Sequence, residues 1–364
     1  MTKTPQGSPI IYYGDDDTTN TMFGITPYDA TVGHLASVEI FGGYKSYNYL
    51  SGDALELSQG VVAGHNILWG GGDGDNFLCG DAHLLTDAAV GGGNKLHGGD
   101  DAYNLMVGDG YTITGAARGG GNRLDGGDNS VNLLYGDGYL LNQGASGGHN
   151  TVLGGTNSNN ILIGDATTLD GIGKGGYNNV QAGDYSTNYV FGDGKLMEGS
   201  SVGGHNTLVG GEKSYNYMVG DAKVMTNSSR GGDNVLVGGD RGTNYMYGDA
   251  VTMNQGASGG GNVLVAGYRS TSYLWGCALN ESSTGWLAGN TFVYGSGDHD
   301  AFVMDFRHGV DLIDLTGVSS ITNFYQLDIT VSHGNSTIHL SGNDYDQLAV
   351  MNDTNLTASD FKFA

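Results

Sequence analysis

The sequence predicts an all-β chain: a right-handed parallel β-solenoid (β-helix or β-roll) of about eleven 28-residue rungs, followed by a C-terminal β cap. Three observations predict this fold. Asparagine recurs in two series at intervals of 28 residues, apolar residues recur at three further positions of the same period, and 68 of the 364 residues are glycine. A fixed period of this length, with no insertion, is typical of repeat proteins in which each repeat packs on the next.

The two asparagine series predict ladders along the rod. Stacked rungs place each asparagine directly above its copy, so its amide is expected to donate to and accept from the neighbouring rungs. We therefore interpret the asparagines as structural rather than catalytic. The first series is Asn66, Asn94, Asn122, Asn150, Asn178, Asn206, Asn234, Asn262 and Asn290, and the second is Asn20, Asn48, Asn76, Asn104, Asn132, Asn160, Asn188, Asn216 and Asn244.

Three apolar columns predict three short strands in each rung. The columns pass through Leu68, Leu50 and Leu57 and repeat every 28 residues. Residues two apart in a strand point to the same face, and the GG and GD pairs between the strands supply turns. Each strand is expected to pair with its copy one rung away, about 4.8 Å along the axis. The result is a thin but continuous core.

Net charge, the first residues and the cysteines limit the classes of partner, the route of export and the disulfides that the sequence predicts. The formal net charge is -24, so nucleic acid and anionic membrane surfaces are poor partners and cations are good ones. The first residues, MTKTPQGSPI, lack the apolar core of a signal peptide. Cys79 and Cys277 stand about seven rungs apart, roughly 33 Å at the rung spacing, so they are not expected to form a disulfide.

Residues 71–78 read GGDGDNFL and resemble the nonapeptide GGxGxDxU of the RTX (repeats-in-toxin, hemolysin-type) family. The resemblance implies calcium held between the turns of a parallel β-roll. Asn76 stands where the family has its ligand aspartate, and a neutral amide is a weaker calcium ligand than a carboxylate. Most rungs are therefore predicted to have replaced calcium with asparagine ladders. The candidate calcium sites that remain are Asp73 with Asp75, and Asp298 with Asp300.

From about Ala301 the chain leaves the 28-residue register. The run AFVMDFRHGVDLIDLTGVSS and the final LTASDFKFA resemble the C-terminal region of RTX proteins such as the serralysin-type secreted proteases. This resemblance implies a β-roll cap and an uncleaved signal read by a type I secretion exporter, and hence an extracellular protein. We divide the chain into a solenoid, residues 1–306, and a cap with the secretion signal, residues 307–364.

A column of aspartates follows the second strand. Carboxylates stacked about 4.8 Å apart repel one another unless they are exposed, protonated or bridged by cations. Two interpretations stay open: each aspartate caps its own turn through neighbouring backbone N–H groups, or cations bridge the column. The column is Asp53, Asp81, Asp109, Asp137, Asp165, Asp193, Asp221 and Asp249.

The residues that flank the inward column of the second strand predict an apolar outer face rich in aromatic side chains. A monomer rarely exposes an apolar patch of that size, so we expect a contact surface. Three uses of it stay open: packing on a second copy, binding an extracellular ligand such as a polysaccharide, and lining the cleft of an enzyme. The candidate residues are Tyr49, Phe77, Tyr189, Phe191, Tyr217, Tyr245, Tyr247, Tyr273 and Trp275.

Catalytic motifs are missing from the sequence, which has no HExxH helix, no GxSxG nucleophile elbow, no P-loop and no zinc-type cysteine pair. The string GxSxG occurs only within the glycine-rich turns of the repeat, as at residues 144–148. His65, His149 and His205 are interpreted as isolated turn residues, because the last two stand roughly 10 Å apart at the rung spacing. We predict a secreted structural or binding protein, with calcium at some turns, that forms homo-oligomers or binds an extracellular surface or glycan. The alternative is a secreted solenoid enzyme of the epimerase, lyase or cyclase type, acting on a polysaccharide or a hydrophobic substrate.

Overall fold

The computed structural model of the chain describes residues 10–24, 33–281, 285, 287–340 and 346–364. Within these residues the chain is a parallel β-solenoid of about ten turns, built from three sheets. Each strand pairs with its copy 28 residues away, as when Asn104 lies opposite Asn76 on one side and Asn132 on the other. The predicted fold class and the period are confirmed.

The first sheet runs the length of the solenoid with one short strand from each rung. Its last two strands come from the residues that follow the regular repeat. In spatial order the strands are Ile10–Tyr13, Val38–Phe41, Ile67–Trp69, Lys95–His97, Arg123–Asp125, Thr151–Leu153, Asn179–Gln181, Thr207–Val209, Val235–Val237, Val263–Val265, Thr291–Gly295, Leu312–Gly317 and Phe361–Lys362.

The second sheet has longer strands and ends in an antiparallel hairpin. The hairpin strands are Asn335–His339 and Asp328–Ser332, and the first of them pairs with Gln347–Val350. The strands that precede them in the sheet are Thr19–Phe23, Tyr47–Ser51, Asp75–Cys79, Tyr103–Val107, Val131–Tyr135, Asn159–Ile163, Thr187–Phe191, Tyr215–Val219, Thr243–Tyr247, Ser270–Trp275, His299–Val303 and Gln347–Val350.

The third sheet follows the second after a two-residue corner. A return segment, linked between rungs by single bridges such as Val62 to Val90, then leads back to the first sheet. Helix is confined, in the part of the chain that the structure describes, to two single 3-10 turns, Phe324–Gln326 and Ala358–Asp360, and none is long enough to cross a membrane. The third-sheet strands are Glu56–Leu57, Ala82–Leu85, Gly110–Ile113, Gly138–Leu141, Ala166–Leu169, Gly194–Met197, Ala222–Met225, Ala250–Met253 and Ala278–Glu281.

Each rung encloses two separate apolar cores. One lies between the first and second sheets and contains Leu68 and Leu78. The other lies between the third sheet and the return segment and contains Leu85 and Ala89. The three predicted apolar columns are therefore buried as expected, but they fill two cores instead of one.

Both asparagine series form ladders, as predicted, but with different bonds. In the second series the amide of Asn48 donates from Nδ2 to Oδ1 of Asn76 at 2.9 Å, and the pattern repeats up the rod. In the first series Oδ1 of Asn94 accepts the backbone N–H of Asn66 at 2.8 Å. Its Nδ2 donates across the rung to the carbonyl of Gly108 at 2.8 Å.

The aspartate column lies in a narrow waist between the two cores. Asp81 is fully buried, and its Oδ2 accepts the N–H of Gly92 in the return segment at 2.8 Å. Its Oδ1 accepts Nδ2 of Asn94 at 2.8 Å. Of the two interpretations left open, the local turn cap is not what the structure has: the backbone N–H that Asp81 accepts lies eleven residues further on, across the rung, because the chain folds back there.

Two smaller predictions are confirmed. Cys79 and Cys277 are both free thiols. His149 and His205 do not meet, because the ring of Tyr177 stacks between them with centroid distances of 5.0 and 5.2 Å. The boundary at residue 306, the cap and the export signal stay predictions.

Candidate ligand-binding groove

The corner between the second and third sheets makes the outer surface of the solenoid concave. At this corner Gly80 passes so close to the next rung that an added Cβ would lie 1.8 Å from the carbonyl oxygen of Gly108, so only glycine fits. The next residue, Asp81, ties the corner to Gly92 on the far side of the rung. Because the corner is drawn inward, the outward side chains of the two sheets face each other across a groove that runs along the rod.

The floor of the groove is the last residue of each second-sheet strand. From Val107 onward these side chains form a third apolar cluster, separate from both cores. Third-sheet side chains cover them, as when the ring of Tyr139 meets Tyr135 edge-on with centroids 6.0 Å apart. The floor residues are Ser51, Cys79, Val107, Tyr135, Ile163, Phe191, Val219, Tyr247 and Trp275.

Burial of the floor corrects part of the sequence prediction. Phe191, Tyr247 and Trp275 were expected on an exposed face, but they are only 4%, 4% and 8% exposed. They do point away from the cores, as alternation requires. They are buried because the third sheet bends toward them and not away.

The first wall holds the other six predicted residues. Tyr189 is 41% exposed, and Tyr49, Phe77, Tyr217, Tyr245 and Tyr273 are half-buried. Their rings pack along the axis: Tyr245 and Tyr273 stack with centroids 4.9 Å apart, and Tyr273 stacks on Phe302 at 5.0 Å. Leu105, Leu133 and Ile161 continue the wall between Phe77 and Tyr189.

The second wall is a column that the sequence analysis missed. The ring of Tyr111 stacks between His83 and Tyr139 with centroid distances of 5.3 and 5.0 Å, and Tyr111 is 42% exposed. The 28-residue period is the signal in the sequence that could have found this column. The column is Leu55, His83, Tyr111, Tyr139, Thr167, Lys195, Lys223, Val251 and Leu279.

Two cavities lie along the groove. The first, of about 170 Å³, opens above Cys79 where the floor is small, and it is lined by Tyr49, Phe77, Leu78, Cys79, His83, Leu105, Val107 and Tyr111. The second, of about 240 Å³, lies beside the filled floor and is lined by Ile161, Tyr189, Phe191, Lys195 and Lys223. Both take side chains from the second and third sheets.

The groove offers little acid–base chemistry. Neither the floor nor the two walls contain an aspartate or glutamate between Tyr49 and Leu279. Burial raises the pKa of Tyr217 to about 12, which makes its phenol a poor general base at neutral pH. Burial and the neighbouring Lys223 lower the pKa of Lys195. The arrangement suits binding of an uncharged, partly apolar ligand.

The four predicted calcium ligands lie outside the floor and the two walls of the groove, although Asp75 and Asp300 share a sheet face with Phe77 and Phe302. Oδ2 of Asp73 accepts the hydroxyl of Tyr44 at 2.6 Å, and Asp75 is exposed at the start of its strand. Asp298 is buried and accepts the N–H of Gly295 at 2.5 Å, and burial raises its pKa to about 6. Asp300 is half-buried in the following strand. No group of three or more His, Cys, Asp or Glu side chains in the described ranges is arranged to hold a metal, and calcium stays a prediction.

Comparisons of this chain with protein-family models, with curated proteins and with solved structures found no match. The likeness to RTX proteins therefore depends on the residues quoted above.

Proposed function

We propose that this protein is a secreted binding protein that holds an elongated, uncharged polysaccharide along the groove. The observation that carries the proposal is a run of aromatic rings along the groove, with Tyr111 and Tyr139 on the second wall and, two rungs further on, Tyr189 to Tyr273 on the first wall. Aromatic rings bind the apolar faces of sugars, and tyrosine hydroxyls bind their edges. Because the columns repeat once per rung, they match a ligand that also repeats along its length.

Charge supports an uncharged ligand. The chain carries a net charge of -24, so an anionic polysaccharide would be repelled at long range. The groove contributes no carboxylate to hold a cationic polymer, and its cations are limited to Lys195, Lys223 and His83 at separate rungs. Neutral glycans avoid both penalties.

Self-association is the second candidate from the sequence, and the concave shape makes it less favourable. Obligate interfaces are large and apolar, and the apolar floor of this groove is already covered within the chain. An enzyme is less favoured still, because the groove lacks a carboxylate pair and its phenols with a shifted pKa are shifted upward.

Secretion through a type I exporter and calcium at the turns belong to the same proposal. Their support is the likeness of residues 301–320 and 356–364 to RTX C-terminal regions, together with the acidic turns at Asp73 and Asp298.

The test is binding of the full chain to a panel of neutral polysaccharides, with anionic ones in parallel, by affinity electrophoresis. We expect a neutral polysaccharide to retard the wild type. We expect Tyr189→Ala with Tyr217→Ala to weaken binding about fivefold or more, since each stacked ring contributes about 0.5–1.5 kcal/mol. Tyr177→Ala is the matched control, because its ring is exposed outside the groove between two histidines.

Two results would contradict the proposal. One is retardation by anionic polysaccharides alone or by none. The other is an equal loss of binding in Tyr177→Ala. Sedimentation of the wild type without ligand distinguishes ligand binding from self-association. An oligomer that dissociates in the groove variants would favour self-association.

A further inference from the structure

Eight aspartates form a continuous file inside the waist of the solenoid. Each of them is 0% exposed, and successive members are one rung apart, about 4.8 Å at the usual strand spacing. The members are Asp53, Asp81, Asp109, Asp137, Asp165, Asp193, Asp221 and Asp249.

Neutral donors bind at least one oxygen of each carboxyl group in the file. Asp165 accepts the N–H of Gly176 at 2.9 Å, and Asp221 accepts that of Gly232 at 2.8 Å. Other carboxyl oxygens in the file are buried and have no donor. These are Oδ1 of Asp53 and Asp109, and Oδ2 of Asp193, Asp221 and Asp249. A buried acceptor left unpaired costs about 1–3 kcal/mol, so a hydrogen or a cation is expected beside these atoms.

Successive carboxyl groups meet each other at the glycines of the return segment. A Cβ added to Gly147 would lie 2.4 Å from Oδ1 of Asp165 and 2.7 Å from Oδ2 of Asp137. Asp137 and Asp165 are within hydrogen-bonding reach of each other, and so are Asp165 and Asp193. The same contact includes an unpaired oxygen at Gly203, where an added Cβ would lie 2.5 Å from Oδ1 of Asp221 and 2.6 Å from the unpaired Oδ2 of Asp193. An unpaired oxygen therefore faces the carboxyl group of the next rung.

Full ionisation of such a file is ruled out by electrostatics. Two like charges about 5 Å apart in a dry interior repel strongly, and carboxylates that share a site hold protons for this reason. The other titratable groups facing the file bring no compensating charge: they are the thiols of Cys79 and Cys277 and, at the C-terminal end, Asp305. Arg307 lies beyond that end, beside Cys277.

Protons fit the file better than calcium does. Calcium takes six to eight oxygen ligands, whereas each gap in the file is flanked by two carboxyl groups and by donors that already point at them. The described residues also contain no cluster of three acidic, histidine or cysteine side chains suited to a metal.

We propose that successive aspartates of the file share protons, with each protonated carboxyl group donating to the unpaired oxygen of the aspartate in the next rung. The protons come from solvent when the chain folds and return to it when the chain unfolds. The shared protons then stabilise the waist between the two cores, and this stabilisation depends on pH.

The direction of that dependence follows from the pKa values. Burial raises the pKa of Asp53 and of Asp249 to about 7, against about 3.9 for aspartate in an unfolded chain. Burial and the neighbouring carboxyl groups raise the pKa of Asp165 and Asp221 further. The folded state therefore binds more protons, and the stability from the file is complete below about pH 4 and is lost as pH rises through about 7 and beyond.

The test uses the full chain in metal-free buffer. Infrared spectra of the folded protein labelled at aspartate are expected to show a protonated-carboxyl band at pH 7, and the thermal midpoint is expected to fall as pH rises. The fall is expected to persist in high salt, because salt screens exposed charges but not buried ones. Absence of the band overturns the proposal. Calcium that co-purifies with the file and whose removal by a chelator unfolds the chain would assign cations instead.

A variant pair locates the protons. Asp165→Asn supplies an amide donor in place of a shared proton, so the protein is expected to stay folded and to take up about one proton fewer on folding. Asp101→Asn is the control, since Asp101 is exposed at a turn with φ of 53°, which asparagine tolerates. If the thermal midpoint depends on pH equally in both variants and in the wild type, the aspartate file is not the source of that dependence. If Asp165→Asn does not fold, the infrared band of the wild type still decides.

Discussion

The two ends of the groove share one backbone but differ in their floor. Near the N-terminal end the floor is Ser51 opposite Cys79, and the space above is a cavity of about 170 Å³. Further along, Phe191 lies opposite Val219 and Tyr247 opposite Trp275, and these side chains fill the same space. In a solenoid of constant register, the size of one side chain per rung decides whether the corner keeps a cavity or becomes a core.

Truncating the filled floor is expected to have the largest effect. Phe191→Ala removes a ring that is 4% exposed and packed on Tyr217, so unfolding in urea should show a loss of about 3 kcal/mol, the low end of such core truncations. Cys79→Ala removes one sulfur beside an existing cavity and should cost less than about 1 kcal/mol, in keeping with its smaller buried surface. Equal losses in the two variants would mean that the two floors do not differ in packing.

The sequence predicts the columns of this structure but not the shape of its corner. A period of 28 and alternation about Leu78 determine that Cys79 points away from the first core. The same alternation holds whether the corner is convex or concave. Whether the corner bends inward depends on the hydrogen bond that the N–H of Gly92 donates to Asp81. The two residues belong to different segments of the rung, and the sequence pattern does not show that these segments meet. For that reason six of the nine predicted contact residues line a wall, three are buried in the floor, and the wall from His83 to Tyr139 was missed.

The asparagine and aspartate columns also show which contacts the sequence predicts and which it does not. That Asn76 stacks on Asn104 follows from the period alone. In contrast, Asp81 accepts a hydrogen bond from Gly92 on the opposite side of its rung, and this contact depends on the path of the return segment. Repeat spacing predicts contacts between rungs well, whereas contacts within a rung require the fold of the whole turn.

Filling the open floor is expected to have an intermediate effect, on binding. Cys79→Phe places at the N-terminal end the side chain that Phe191 supplies further along, and the cavity above Cys79 has room for much of it. The fold should stay intact, while affinity for a polysaccharide with apolar substituents should fall about tenfold, or about 1.4 kcal/mol. Isothermal titration measures this change, with Cys79→Ser as the control of similar size. Unchanged affinity in Cys79→Phe would place the bound ligand elsewhere in the groove.

The smallest expected effect concerns the charges beside the filled floor. Lys195 and Lys223 are neighbours on paired third-sheet strands, whereas the corresponding positions at the N-terminal end are His83 and Tyr111. Like charges directly opposite in a sheet destabilise it by about 0.2–1 kcal/mol. Lys223→Gln should therefore raise the pKa of Lys195 toward its ordinary value. It should also stabilise the fold by a few tenths of a kcal/mol, because it removes the repulsion between like-charged neighbours.

Titration of ¹⁵N-labelled lysine by NMR measures that pKa. Lys174→Gln is the matched control, because Lys174 is exposed and its bridge partners are Ser146 and Val202, which carry no charge. A pKa of Lys195 that is unmoved in Lys223→Gln would mean that burial alone lowers it. In that case Lys195 on the second wall is shielded from water by the filled floor beside it. The C-terminal part of the groove would then differ from the pocket above Cys79 in access to water as well as in volume.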